Sequence, residues 1–348
     1  MGQALASIVK PLPDELFVQH DGNAETRWES MAGQGYHTPT DRFFVRNHTS
    51  TPLIELAGWR LRVHGEGVRQ PAAYDYERLL SLPARTMDVA IECTGNGRRF
   101  YAEQQGRPTP GAQWGLGAIG VARWRGVPLR DLLRAAGVRD EAVDVVPVGL
   151  DAPFETYGHV RRPLPVGKAM DDVLLAYEMN GEPLPPDHGF PLRLVVPGWA
   201  GIASVKWLGD IEVHTRAAFT PWNTVFYQGI TEQPVKSAFE LAWNASMALG
   251  RPYVLRGRSW SGHGRIVRVE VSVDGGATWR EAEHPRSRLI SAWLPWHVEW
   301  APERLGPQVL LARATDETGA TQPLVTPWHP LGYHFDAVVQ HPVRVVHG

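Results

Sequence analysis

The chemistry of this chain is concentrated in one stretch, IECTGNGRRF, residues 91–100, which holds Cys93, the single cysteine among 348 residues. A lone thiol is most often a small buried hydrophobe, but these neighbours are unusual. Gly95 and Gly97 permit tight turns and close backbone approach, and Arg98 and Arg99 set fixed positive charge nearby. Positive charge favours thiolate over thiol and attracts an anion. A thiolate is also a soft metal ligand. The stretch therefore reads as a nucleophilic cysteine or as a metal ligand beside an anionic substrate.

The elements that position it are partly legible. In TMDVAIEC, Met87, Val89, Ile91 and Cys93 alternate with Asp88, Ala90 and Glu92. That is a strand period, with Cys93 on the apolar face where the strand ends. The segment 53–64 reads as extended chain, and 74–82 as a short helix stopped by Pro83. Pro128 opens a helix with Leu129, Leu132, Leu133 and Ala136 on one side, closed by Gly137. A second helix is expected at about 170–180, ending in the turn Asn180-Gly181. DVVPVG, LRLVV and VKWLGDIEVH read as short strands. After about residue 230 the pattern is short alternating strands, which suggests an immunoglobulin-like sandwich. There, Val267, Val269, Val271 and Val273 are expected on one face, and Asp274-Gly275-Gly276 in a hairpin turn.

Composition excludes several classes. The formal net charge is −2, with no basic block, which gives no case for nucleic acid or an anionic membrane. No apolar run reaches the ~18 residues needed to cross a bilayer. MGQALASIVKPLPDELF lacks the pattern of an export signal, so the expected compartment is the cytoplasm, or the periplasm if a signal has been removed. One cysteine excludes an intrachain disulfide, a C-x-x-C-H haem attachment and a Cys-ligated iron–sulfur cluster. Gly115-Leu116-Gly117-Ala118-Ile119-Gly120 fits a dinucleotide fingerprint but is preceded by RPTPGAQW rather than a buried strand, so that reading is rejected.

Cys93-Thr94-Gly95-Asn96 followed by Arg98 resembles the C-A/S/T-G-N-x-R motif of the sulfite oxidase family of molybdenum enzymes. Six further stretches match that family's pattern in order: FFVRNH (43–48), QWGLGAIGVARWRGVPLRDLL (113–133), LLAYEMNGEPLPPDHGFPLRLVVPG (174–198), VKWLGDIEV (205–213), VEVSVDGGATW (269–279) and RATDETGATQPL (313–324). The resemblance implies an α+β, sulfite oxidase-type molybdopterin domain over 1–230, followed by an all-β, immunoglobulin-like dimerisation domain over 231–348. It implies molybdopterin carrying molybdenum, with Cys93 giving the metal a third sulfur, and no haem or iron–sulfur cluster in this chain.

Carried over position by position, the resemblance makes Arg46, Arg98, Trp114 and Tyr227 the substrate-pocket residues. His48, Asp151, His188, Arg193 and Lys206 become the pterin-binding ones. Without it, the two histidines and Asp151 would read as structural. The implied activity is oxidation of sulfite to sulfate by oxygen-atom transfer, with electrons passed to an external acceptor such as cytochrome c and a homodimer as the assembly. One departure stands out. Leu331, in WHPLG, occupies the place of an arginine in the W-N-L-R-G of animal and plant members. Loss of one charge-assisted hydrogen bond is worth about 1.5–3 kcal/mol. This keeps open a family member acting on another substrate, such as a sulfane-sulfur dehydrogenase or a sulfoxide or N-oxide reductase. A cofactor-free interaction protein is the alternative outside the enzymes.

Overall fold

A computed structural model describes residues 7–286 and 289–348. MGQALA, the start of the stretch read for an export signal, lies outside them. The fold is α+β, dominated by strands. One antiparallel sheet runs in the order Glu182–Pro183, Leu174–Met179, Ile119–Pro128, Arg85–Glu92, with Arg193–Val195 also paired to Leu174–Met179. A second is ordered Ala72–Tyr74, Leu61–His64, Leu208–His214, Asp144–Gly149, Leu164–Pro165, and its Leu61–His64 and Leu208–His214 pair is parallel. The short helix Leu129–Ala135 buries Leu129, Leu132 and Leu133, as its spacing requires, and Gly137 follows at φ +65°. The helix Tyr76–Leu80 begins at Asp75, whose carboxylate accepts the Arg78 N–H at 2.8 Å.

The C-terminal part is a sandwich of a three-stranded sheet (Lys236–Phe239, Tyr253–Trp260, Leu294–Trp300) and a five-stranded one (Ala245–Ala248, His341–Val346, Gly306–Asp316, Ile266–Ser272, Arg280–Glu281). Its core includes Phe239, Leu255, Val269, Trp296, Leu310 and Val345. The two parts share an aromatic interface in which Trp28, Phe100 and Tyr101 pack with Trp260, Trp293 and Phe335. No helix among the described residues is long and apolar enough to cross a membrane.

Three local expectations are corrected. The helix expected at 170–180 is instead the helix Val166–Asp171 and then the strand Leu174–Met179. That strand pairs with neighbours on both sides, so its residues are buried whichever way they point, and a continuous apolar run carries no strand period. Of the extended segment 53–64, only Leu61–His64 enters a sheet. Val267 does not share a face with Val269 and Val271. The register shifts between Ile266 and Arg268, and Val267 is turned out to 50% exposure while Ile266 faces inward.

Candidate active site

The Arg85–Glu92 strand delivers Cys93 as its period demands: Met87, Val89, Ile91 and Cys93 belong to one apolar cluster, and Ala90 lies in another. A turn then closes. The Cys93 N–H donates to the Ala118 carbonyl at 2.9 Å, the Asn96 N–H to the Cys93 carbonyl at 2.9 Å, and the Asn96 side-chain oxygen accepts the Ala118 N–H at 3.1 Å. Gly95 is required here, because a Cβ would lie 2.8 Å from the Arg98 guanidinium and 3.0 Å from the Trp114 ring. The Gly115–Gly120 stretch binds an internal anion rather than a nucleotide. The Gly115 and Gly117 N–H groups donate to the Glu25 carboxylate at 2.8 and 3.3 Å, and the chain continues as a strand.

Cys93 and Thr94 form part of the wall of an open cleft whose empty space, its mouth included, is about 750 Å³. Arg46, His48, Asp151, His188, Arg193, Lys206 and Tyr227 line the same cleft, brought together from loops, a helical turn at His188 and the strand that begins at Arg193. Arg193 donates only to carbonyls: His188 at 3.0 Å, Ser204 at 3.1 Å and Leu194 at 3.2 Å. Lys206 donates to the Asp187 carbonyl at 2.7 Å and to the Asn47 side-chain oxygen, with its ammonium 4.2 Å over the Trp207 ring. Among the described residues, Arg46, Arg193 and Lys206 form no ion pair with a carboxylate. The nearby Asp187 carboxylate is spent on the Val9 and Lys10 N–H groups and the Thr51 hydroxyl.

The result is a cleft with surplus positive charge. Burial holds Lys206 well below its usual proton affinity, with Arg193 adding repulsion, and lowers the Arg193 guanidinium to about 9. Burial, reinforced by neighbouring cations, keeps His48 and His188 neutral. Buried cations without a counter-anion are costly, and a bound anion removes that cost. Asp151 adds the opposite need. One of its carboxylate oxygens is buried without a hydrogen-bond partner, and burial raises its proton affinity. These donors and this acceptor fit a pterin: a carboxylate for ring N–H groups, and cations and imidazoles for a phosphate. Among the described residues, no three His, Cys, Asp or Glu side chains converge on a possible metal position. A metal at Cys93 therefore needs further ligands from its cofactor.

Two of the expected pocket residues stand elsewhere. Arg98 donates to the Ala112 carbonyl at 2.9 Å and the Gly332 carbonyl at 3.4 Å, and its guanidinium lies 5.3 Å from the Tyr333 ring. Trp114 is buried beside His20, with centroids 5.0 Å apart. Both lie beside Gly95 of the Cys93 turn and neither lines the cleft, although the Arg98 charge reaches Tyr227. Tyr333 was not foreseen. Its ring stacks on Tyr227 at 5.1 Å and 8°, and Tyr227 reaches the His48 imidazole at 3.4 Å. Nor were Asn47 and Asp187 foreseen. The only sequence signal for them was adjacency, to His48 in FFVRNH and to His188 in PPDHG.

A cleft with one thiol in its wall, a buried carboxylate with one unpartnered oxygen and buried cations without ion-pair partners among the described residues fits a protein that holds an anionic pterin against a sulfur-ligated metal. The family models agree: "Oxidoreductase molybdopterin binding domain" matches residues 48–222 and "Mo-co oxidoreductase dimerisation domain" matches 228–344. The chain belongs to the molybdopterin-dependent oxidoreductases that include sulfite oxidase. It is 36% identical to mitochondrial sulfite oxidase of Mus musculus over 88% of this chain and 60% of that protein. It is 31% identical to NADH nitrate reductase of Ulva prolifera over 90% of this chain and 41% of that one. Among solved structures, the sulfane dehydrogenase SoxCD from Paracoccus pantotrophus matches with a TM-score of 0.80 and 32% identity, covering 91% of this chain and 82% of that one. The chain thus spans about 60% of the length of the mouse relative.

Proposed function

We propose that this chain oxidises a small sulfur oxyanion, sulfite in the first instance, by the net reaction SO₃²⁻ + H₂O → SO₄²⁻ + 2H⁺ + 2e⁻. The electrons leave to an external one-electron acceptor such as cytochrome c, and the working unit is a homodimer. The observation that carries the reading is the cleft itself, with Cys93 in its wall and three cations, Arg46, Arg193 and Lys206, against the two carboxylates of Asp151 and Asp187, none of them joined in an ion pair among the described residues. Molybdenum on its pterin supplies two-electron oxygen-atom transfer when bound.

The protein's share is positional and electrostatic. Cys93 is the thiolate to hold the metal. Arg193, Lys206 and the neutral imidazoles of His48 and His188 are the donors for the anionic tail, and Asp151 is the acceptor for ring N–H groups. Arg46 is the guanidinium for the substrate, offering several donors in a fixed plane. Burial raises the proton affinity of Tyr227, so it stays protonated at neutral pH. Its ring is stacked on Tyr333 and its hydroxyl lies 3.4 Å from the His48 imidazole, placed as a donor for a substrate oxygen.

A second reading, oxidation of a sulfane-type sulfur, is supported by two features. Leu331 packs in an apolar cluster with Trp222, Tyr227, Ile230 and Tyr333. The Arg98 guanidinium is occupied by carbonyls. Together they leave less cationic surface for a dianion. The deciding experiment is metal analysis of wild type and Cys93→Ser beside sulfite-dependent ferricyanide reduction. About one molybdenum per chain with sulfite turnover, both lost in Cys93→Ser, is the expected result. Metal without sulfite turnover transfers the assignment to the sulfane reading. Full metal and turnover in Cys93→Ser overturns both.

A further inference from the structure

The Cys93 turn is held from behind by the C-terminal sandwich. Glu92 and Cys93 point to opposite faces of the strand, so the residue before the thiol faces the other part of the molecule. There the Glu92 carboxylate, 2% exposed, receives three donors. Lys236 Nζ lies at 2.9 Å and Asn96 Nδ2 at 2.9 Å from one oxygen, and the Trp260 indole N–H at 3.0 Å from the other. Lys236 Nζ makes a second bond, to the Asn96 carbonyl, at 2.8 Å. Lys236 and Trp260 are cross-strand partners in the sandwich, so their side chains leave the sheet on the same face.

The turn therefore has a fixed frame. Lys236 bonds the residue before Cys93 and the carbonyl that closes the turn after it. Each polar atom of Asn96 has a partner: its amide nitrogen donates to Glu92, its side-chain oxygen accepts the Ala118 N–H, its N–H donates to the Cys93 carbonyl and its carbonyl accepts from Lys236. Asn96 and Trp260 are both 0% exposed, and Lys236 is 4% exposed. Breaking one partner of a buried ion pair strands the other charge, so losing either Glu92 or Lys236 alone is strongly destabilising.

We propose that Lys236 and Trp260 are positioning residues for the Cys93 turn, a clamp by which the C-terminal sandwich sets the direction of the thiol. The proposal rests on the reading of Cys93 as the metal's thiolate ligand. It makes the sandwich a structural part of the active site and not only a surface for assembly.

The test is hydrogen exchange of the peptide covering residues 93–98 in the full chain. Lys236→Met is compared with Arg258→Met and with the double variant Lys236→Met/Glu92→Gln. Arg258 is a matched control: it is equally buried, pairs with Glu240 and bonds the Tyr36 carbonyl across the same interface, but does not touch the turn. The expected result is exchange at least about tenfold faster in Lys236→Met and in the double variant. Arg258→Met should lower the unfolding temperature and leave this peptide at the wild-type rate. The double variant leaves no stranded charge, so it folds where the single one fails, yet it still lacks the Lys236 bonds that tie the turn to the sandwich. Wild-type exchange in the double variant, or equal acceleration by Arg258→Met, overturns the proposal.

In metal-loaded protein, the double variant should keep its molybdenum and shift the thiolate-to-metal absorption band. An unshifted band at full metal content overturns it as well. Absence of molybdenum from wild type sinks the Cys93 ligand reading and leaves the exchange result standing.

Discussion

Lys206→Met is the substitution that best separates a cation kept for a ligand from one kept for the fold. Methionine retains most of the stem packed beside Trp207 and removes the charge. In the cofactor-free protein two hydrogen bonds disappear, to the Asp187 carbonyl and the Asn47 side chain. Bonds to a charged group contribute about 1.5–3 kcal/mol each, while desolvating an ammonium without a counter-ion costs several kcal/mol. The opposing effects leave a net change within about 1 kcal/mol. With the cofactor bound, the same substitution removes a charge-assisted contact of about 1.5–3 kcal/mol, or ten- to a hundredfold in affinity.

The assay is denaturant unfolding of cofactor-free chain, paired with fluorescence of the pterin released from the loaded protein on denaturation. A second signature is in pH. The folded state binds the Lys206 proton less tightly than the unfolded chain, so it contributes a stability that rises with pH from the depressed folded value up to the ordinary lysine value of 10.5. Lys206→Met flattens that rise. A loss of more than about 3 kcal/mol in the cofactor-free protein, with pterin content unchanged, would refute the reasoning and make Lys206 a structural residue.

Arg46→Ala should raise KM for the oxyanion about ten- to a hundredfold with the unfolding temperature unchanged, whereas Arg98→Ala should lower that temperature by several degrees; steady-state kinetics and calorimetry check the pair. Leu331→Arg restores a cation beside Tyr227 and Tyr333, so sulfite should saturate at about tenfold lower concentration, and no change in KM counts against sulfite as the natural substrate. His341 donates from Nε2 to the Ala242 carbonyl while its other ring nitrogen is buried without a partner, and burial lowers its pKa to about 4. Its stabilising effect is complete above pH 6.5 and lost as pH falls toward 4, at most about 3 kcal/mol. Denaturant melts of wild type and His341→Leu at pH 7 and 4.5 should show the smaller acid loss in the variant.

What the sequence determined by itself was whatever depends on neighbours in the chain. The alternation in TMDVAIEC placed Cys93 on an apolar face because side chains of a strand take opposite sides every residue. The spacing of Leu129, Leu132 and Leu133 gave a helix for the corresponding reason. RPTPGAQW before Gly115 was enough to set aside a nucleotide loop, and the resemblance across seven stretches located the family. Local pattern failed where burial on all sides erased it, as in Leu174–Met179, and where a register shift reversed it, at Val267.

The tertiary structure alone decided which cations remain unpaired. Nothing near Arg98 in the chain says that its guanidinium is taken by carbonyls of Ala112 and Gly332, 14 and 234 residues away. Nothing near Glu92 points to Lys236, 144 residues on. Compensation of a buried charge is set by groups within a few ångströms, and these come from whichever segments the sheets bring together. The residue types of the site are therefore in the sequence, and the surplus charge that makes it a site is in the fold.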